Sequence, residues 1–316
     1  MPRTALTDTA TPAGTQPVGL AGYTDPVFSD EFRTGALDDT KWYPWYPDVP
    51  FWNTTTPGGH KTNSNEPQGY DESGISFPTD TTMRFTMRAD NAAVPELDYT
   101  SGMVSSGDLF SQAYGVFEAK VRTPDIIGSW AAFWLFPASN SWDYEIDILE
   151  HWGAESFGNN VLTTVHPRDS TPAQSEGHTF PQDVGVHFHT YTLRWEPTRI
   201  RVYIDGTKVY DRTSSQMRIY NLPMYPQLNL AADRDKVAFL PTRVPFHMDV
   251  DYVRVWAYDP TLTIAETGAQ APTDPGGEPI DPEQPVELAF APYSYDGTAL
   301  DVHYLNNGQL RELGIN

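Results

Sequence analysis

Along residues 23–259, hydrophobic and polar positions alternate in runs of five to eight residues, and Gly, Pro, Asn and Asp separate the runs. A period of two is that of a half-buried strand, whereas a helix would repeat its apolar positions every three to four residues. Residues 82–88 form one such run. Residues 114–122 form another, with Phe117, Ala119 and Val121 on one face. In residues 199–204, Ile200, Val202 and Ile204 fall together, and Asp205-Gly206 follows, a dipeptide that favours a tight type I′ hairpin before Lys208-Val209-Tyr210. Residues 248–256 close the series. No long stretch carries the helical period, so many short strands predict an all-β sandwich or barrel.

Outside that stretch the pattern changes. Residues 1–22 are rich in Ala, Thr, Pro and Gly and predict a flexible or draped N-terminal arm. Residues 260–287 are dominated by Pro, Gly and acids and read as an extended, solvated linker. Residues 288–316 regain apolar character at Leu288, Phe290 and Tyr293 but are too few to build a core, so they read as a short docking or attachment segment. The chain of 316 residues is therefore one large β domain at 23–259 with appendages.

Charge narrows the function. Asp and Glu number 42 against 20 Lys and Arg, a net charge of −22. Nucleic acids and anionic membrane surfaces need a basic footprint and are excluded as partners. No apolar run approaches the roughly 18 residues of a membrane span. Cysteine is absent, which removes disulfides, thiolate metal sites and a cysteine nucleophile. Aromatic residues make up 13% of the chain, a level that suits both a large β core and rings that stack on sugars.

Residues 142–152 concentrate the chemistry. On a strand, Glu145 and Asp147 share one face while Ile146 and Ile148 share the other. Glu150, three residues beyond Asp147, has the wrong parity, and a β-bulge near Ile148-Leu149 would return it to the acidic face. Bunched carboxylates repel one another, which is costly unless the charge is used. The three acids would span about 13 Å of backbone at roughly 3.3 Å per residue. Glutamate arms leaning together could close the outer pair to about 5–5.5 Å, the spacing at which one carboxylate acts as nucleophile and the other as acid/base. Asp147 would then bond the nucleophile and help split the two pKa values, with the charges of Glu145 and Asp147 raising that of Glu150. A solvated acidic strand or a calcium site explains three acids equally well at this point.

Glu145-Ile146-Asp147-Ile148-Leu149-Glu150 resembles the E-x-D-x-x-E signature of glycoside hydrolase family sixteen, the laminarinase-like group. Phe28-Ser29-Asp30-Glu31-Phe32 resembles the family's opening strand, and residues 62–68 its N-N-E-x-Q segment. Residues 114–120 and 130–135 are similar to the run leading into the signature. Residues 188–197, 203–206 and 251–255 follow in the family's order, so the resemblance covers roughly residues 25–257.

The resemblance implies a concanavalin-like β-jelly-roll sandwich with a substrate cleft along its concave sheet. It implies Glu145 as nucleophile, Asp147 as helper and Glu150 as acid/base. Trp130 and Trp134 are four apart on one strand and share a face, which places them on the concave sheet as sugar-stacking platforms, the alternative being tryptophans of the inter-sheet core. His166 matches a family histidine near the scissile bond. Gln227 and Asn229 alternate with Leu228 and Leu230, so two amides share a face and are expected to meet sugar hydroxyls. Asn65 carries over from the family's loop as a further sugar ligand. No cofactor is required, and a structural calcium, seen in many relatives, is compatible with Asp251. Met103 stands where many relatives have a basic residue, Tyr144 where a glycine often precedes the nucleophile, and residues 42–52 form an unusually aromatic loop expected to shape one end of the cleft.

The expected function is a retaining endo-glycosidase acting on a β-linked polysaccharide, a β-1,3-glucan by family default with a β-galactan or bacterial wall glycan as alternatives. A non-catalytic glycan-binding module, or a virion structural protein on the same fold, is the competing reading. The N-terminus lacks a basic segment followed by an apolar one, so no signal peptide is expected. With a polymer substrate outside the cell, this fits either a secreted enzyme or a phage tail-associated depolymerase that self-associates or attaches through the C-terminal tail.

Overall fold

The computed structural model describes residues 6–46, 60–61, 66–89, 97–141, 144–153, 160–167, 173–179, 184–274, 302–306 and 309–313. Fourteen strands build two antiparallel sheets. In chain order they are β1 (Phe28–Asp30), β2 (Ile75–Thr79), β3 (Thr82–Met87), β4 (Met103–Ser105), β5 (Gly115–Arg122), β6 (Ser129–Pro137) and β7 (Glu145–His151). They continue as β8 (Asn160–His166), β9 (Gln174–Thr179), β10 (His189–Glu196), β11 (Arg199–Ile204), β12 (Thr207–Thr213), β13 (Met224–Ala232) and β14 (Phe246–Trp256). One sheet has six strands in the order β9-β8-β7-β6-β13-β4. The other has eight, β12-β11-β10-β5-β14-β3-β2, with β1 added on β14.

The alternation read from the sequence decides what lies between the sheets. Phe133, Leu135, Ile146, Ile148, Val165, Leu228 and Leu230 of the six-stranded sheet meet Phe117, Ala119, Val121, Leu193, Ile200, Val202, Val253 and Val255 of the eight-stranded one in a single dry core. Each large aliphatic side chain buried there stabilises the sandwich by about 1.5–3 kcal/mol. The β11–β12 hairpin turns at Asp205-Gly206, where both residues take the positive φ, 46° and 76°, that a type I′ turn demands. This is the sandwich expected from the strand pattern, and the β-jelly roll that the resemblance implied.

Two smaller clusters flank the main core. Tyr46, Tyr70, Met103, Ala132, Trp134, Phe136 and Tyr225 pack on the outer face of the six-stranded sheet. Leu20, Val116, Tyr203 and Trp256, with Tyr23 and Ile264 against them, pack on the outer face of the eight-stranded sheet.

This last cluster corrects the expected domain boundaries. Residues 6–22 take the draped form of the expected arm and not the flexible one. Leu6 bridges to Phe28, Leu20 is buried, and the amide of Val18 donates to the buried carboxylate of Glu118 at 2.8 Å. The start of the expected linker is also fixed, because Ala265–Glu266 pairs antiparallel with Leu20–Ala21 and Gln270 N–H donates to Asp205 O at 2.8 Å. A Cβ on Gly19 would lie 2.4 Å from Gly206 Cα, so only glycine lets the two chains cross here. The sequence pattern missed both segments because they hold on through backbone groups and a few side chains rather than a periodic apolar face. Residues 275–301 lie outside the described residues. Beyond them, Val302–Asn306 and Gln309–Leu313 pair with each other as a hairpin.

Candidate active site

The three acids sit on β7, between β6 and β8 near the middle of the six-stranded sheet. Against β8, Asp147 pairs with Thr164 and Glu150 with Leu162, three residues on β7 against two on β8. Against β6, Phe133 pairs with Leu149 and Trp134 with Asp147. The extra residue is Ile148, so the bulge lies where strand parity called for it. Ile146, Ile148 and Leu149 all turn into the core, and Glu145, Asp147 and Glu150 all face outward. Thr163 Oγ1 donates to the Ile148 carbonyl at 3.1 Å, a side-chain hydrogen bond at the bulge itself.

Asp147 is buried and its Oδ2 lies 3.0 Å from His166 Nε2. Glu145 pairs in register with His166, so Glu145, Asp147 and His166 bring their polar atoms within 4.8 Å of one another. Glu150 accepts hydrogen bonds from Trp130 Nε1 at 3.1 Å and from Thr164 Oγ1 at 3.5 Å. Its pKa is raised. Withdrawal of the carboxyl from water is the cause, opposed by the His166 charge and by the Trp130 and Thr164 hydrogen bonds. The expected cause, repulsion from Glu145 and Asp147, is thus replaced by burial.

The other expected site residues separate into two groups. Trp130 faces the acids, half-buried, and stacks on Trp152 with ring centroids 4.0 Å apart and planes at 18°. Trp134 shares its face as parity required, but it is only 7% exposed and lies edge-on to Tyr46 and Phe136. It is a floor residue and not an open stacking platform. Its Nε1 donates to Asn229 Oδ1 at 2.8 Å, and Asn229 Nδ2 donates to Tyr70 Oη at 2.9 Å. Both polar atoms of the buried Asn229 side chain are thus engaged within the protein. Tyr70 Oη donates onward to Glu66 at 3.0 Å and Gln68 Nε2 to the same carboxylate at 2.7 Å, so the 66–70 segment braces the floor. Gln227 pairs with Trp134 and Ser105 and is fully buried, with neither amide atom bonded to protein. A buried amide of that kind takes its partners from water or a bound ligand. Asn65 lies outside the described residues, as do residues 47–52 of the aromatic loop.

Sequence reasoning did not single out Trp152, Thr164 or Tyr70, and marked Tyr46 only as part of the aromatic loop 42–52. Trp152 carried a readable signal, since it lies two residues past Glu150 and shares its parity. Tyr46 and Tyr70 reach the floor from distant segments, which no local pattern reveals.

The acid–histidine group is compact enough for a divalent ion, but the Asp147–His166 hydrogen bond already uses its geometry and we assign it no metal. The expected calcium at Asp251 does not fit. Lys120 Nζ lies 2.8 Å from Asp251 Oδ2, so an ammonium holds the carboxylate where calcium would need six to eight oxygens.

The family model described as glycosyl hydrolases family 16 matches residues 62–233, more than half of the chain. The chain belongs to this family. Among relatives in the family, an endo-1,3-1,4-β-glycanase of Rhizobium meliloti, ExsH, is 31% identical over 74% of the chain. A keratan-sulfate endo-1,4-β-galactosidase of Sphingobacterium multivorum is 30% identical over 73% of it. The chain spans about half the length of each, 52% and 54%. In fold it is similar to the laminarinase of Rhodothermus marinus, with a TM-score of 0.62 at 23% identity over 74% of this chain and 98% of that one. The endo-β-1,3-glucanase of Pyrococcus furiosus gives 0.62 at 24% identity over 74% and 94%.

Proposed function

We propose that this family 16 chain is a retaining endo-β-glycosidase that cleaves internal linkages of a β-linked polysaccharide by double displacement. The observation that carries the proposal is the bulge at Ile148, which sets Glu145, Asp147 and Glu150 on one face of β7 with their hydrophobic neighbours in the core. Glu145 attacks the anomeric carbon while Glu150, whose hold on its proton is strengthened by burial, donates that proton to the departing glycosidic oxygen. Glu150 then takes a proton from the water that releases the sugar from Glu145. Asp147, oriented by His166, steadies the nucleophile. A non-catalytic glycan binder would gain nothing from a buried glutamate of raised pKa on the same strand face as a second carboxylate. By their names the relatives are an endo-1,3-1,4-β-glycanase and a keratan-sulfate endo-1,4-β-galactosidase, and we favour a β-glucan or β-galactan substrate, met outside the cell by a secreted or virion-borne protein.

The test is Glu145→Ala. It should lose at least about 10³-fold in kcat with an unchanged fold, because the covalent route is gone. Azide should restore turnover and give a glycosyl azide of inverted configuration. Near-normal hydrolysis by the variant would remove Glu145 from the mechanism. Product analysis on β-glucans, β-galactans and bacterial wall glycans would identify the polymer.

A further inference from the structure

Glu150 is held by groups from two neighbouring strands. Trp130 comes from β6, Thr164 and His166 from β8, and Asp147 and Glu145 share its own strand. Thr164 reaches it only at 3.5 Å, so the 3.1 Å bond from Trp130 Nε1 is the shorter of the two that the described residues give it. An indole has a single donor, fixed in the ring plane, so the bond exists only while the ring keeps its orientation. Trp130 is half-buried, near the start of β6, and its ring is oriented by the near-parallel indole of Trp152, 4.0 Å away at 18°. A stacked contact of this kind permits in-plane sliding but opposes rotation of the ring out of plane.

We propose that Trp152 is a positioning residue: stacked on Trp130, it keeps the Trp130 N–H directed at Glu150 and thereby sets the ionisation of the acid/base. The inference rests on the reading of Glu150 as acid/base. An N–H that donates to a carboxylate favours the ionised form, so it opposes the rise that burial produces. Trp152 thus acts through Trp130 and not by touching the reacting atoms. If the stack is lost, Trp130 turns, the bond is lost, and Glu150 holds its proton to higher pH.

The experiment is the pH dependence of kcat/KM for the full chain on an unactivated soluble oligosaccharide, with far-UV and near-UV dichroism to check folding. Trp152→Ala should move the basic limb upward by about one pH unit, the size of one charge-assisted hydrogen bond. Trp130→Phe, which keeps a ring to stack but removes the N–H, should move it equally. The double variant should move it no further than Trp130→Phe alone, since both changes remove one bond. Trp152→Phe should leave the limb at its wild-type position. If Trp152→Ala does not fold, Trp152→Leu takes its place in the cycle. A limb that stays in place in the folded Trp152 variant, or shifts that add in the double variant, would overturn the proposal and leave Trp152 as a sugar platform or a packing residue. Glu150→Gln separates the two levels. With a good leaving group its basic limb should vanish, and persistence of that limb would sink the reading of Glu150 itself.

Discussion

His151 follows Glu150 directly and turns the opposite way, into the protein. It is fully buried, and its Nδ1 lies 2.9 Å from Thr123 Oγ1. Burial pushes its pKa down to about 4 from the ordinary value near 6.5. The folded protein therefore keeps His151 neutral while the unfolded chain takes up a proton. Stability from this residue is fully present above pH about 6.5 and declines as pH falls toward about 4, by about 3 kcal/mol in all. His151→Gln should be less stable at neutral pH but should lose less on acidification. Urea midpoints at intervals from pH 7 to 4 would show it, and parallel slopes for the two proteins would refute it. Glu150 offers the complementary lesson at the same scale. Counting charges along the sequence predicted a raised pKa but credited the neighbouring acids, because depth below the surface is a property of the folded sheet.

At the scale of the element, the bulge was legible to within a residue. Parity requires an insertion between Asp147 and Glu150, and the apolar pair Ile148-Leu149 is the only place where two consecutive side chains can both enter the core. What parity could not show is how the bulge is held. Thr163, fully buried, donates its hydroxyl to the Ile148 carbonyl. Thr163→Val should cost about 0.5–1.5 kcal/mol by removing that hydrogen bond. Because the bulge sets the spacing of Glu145 and Glu150, kcat should fall about tenfold or more with little change in KM, while Thr163→Ser should retain both. Denaturant unfolding and steady-state kinetics on the three proteins decide it, and a Thr163→Val protein with unchanged kcat would separate the hydroxyl from catalysis. The same limit of local pattern explains Trp134 and Asn229. Their shared face was readable, but the Tyr46 and Tyr70 rings that close over that face come from a loop and from the short strand Gln68–Tyr70, whose course the strand period does not encode.

At the scale of the whole molecule, the two sheets divide the work. The six-stranded sheet carries the acids. The eight-stranded sheet carries much of the ion pairing on its outer face, including Arg84 and Arg122 on Asp249, Arg254 on Glu31, and Lys120 on Asp251. The chain's two flanks close over this second face. Val18 is bonded to Glu118, Glu266 accepts from Tyr203 at 2.8 Å and Arg201 at 3.1 Å, and Lys120 Nζ donates to Thr273 at 3.1 Å. A boundary drawn after Pro260 would therefore cut through the fold. Truncation after Pro260 removes the Ala265–Glu266 strand, both bonds to Glu266 and the Ile264 cover over Leu20, Val116, Tyr203 and Trp256. That loss should be about 2 kcal/mol or more, a fall of about 4–8 °C in Tm. Truncation after Asp274 should melt with the full chain. Both shortened proteins should keep kcat on a small soluble substrate within a factor of about two at 25 °C, because the acids lie across the core from the clasp. Calorimetry beside a kinetic assay tests both parts at once. Equal melting of the two truncations would mean that the flanks only lie on the sheet, and loss of activity without loss of fold would mean that they reach the cleft.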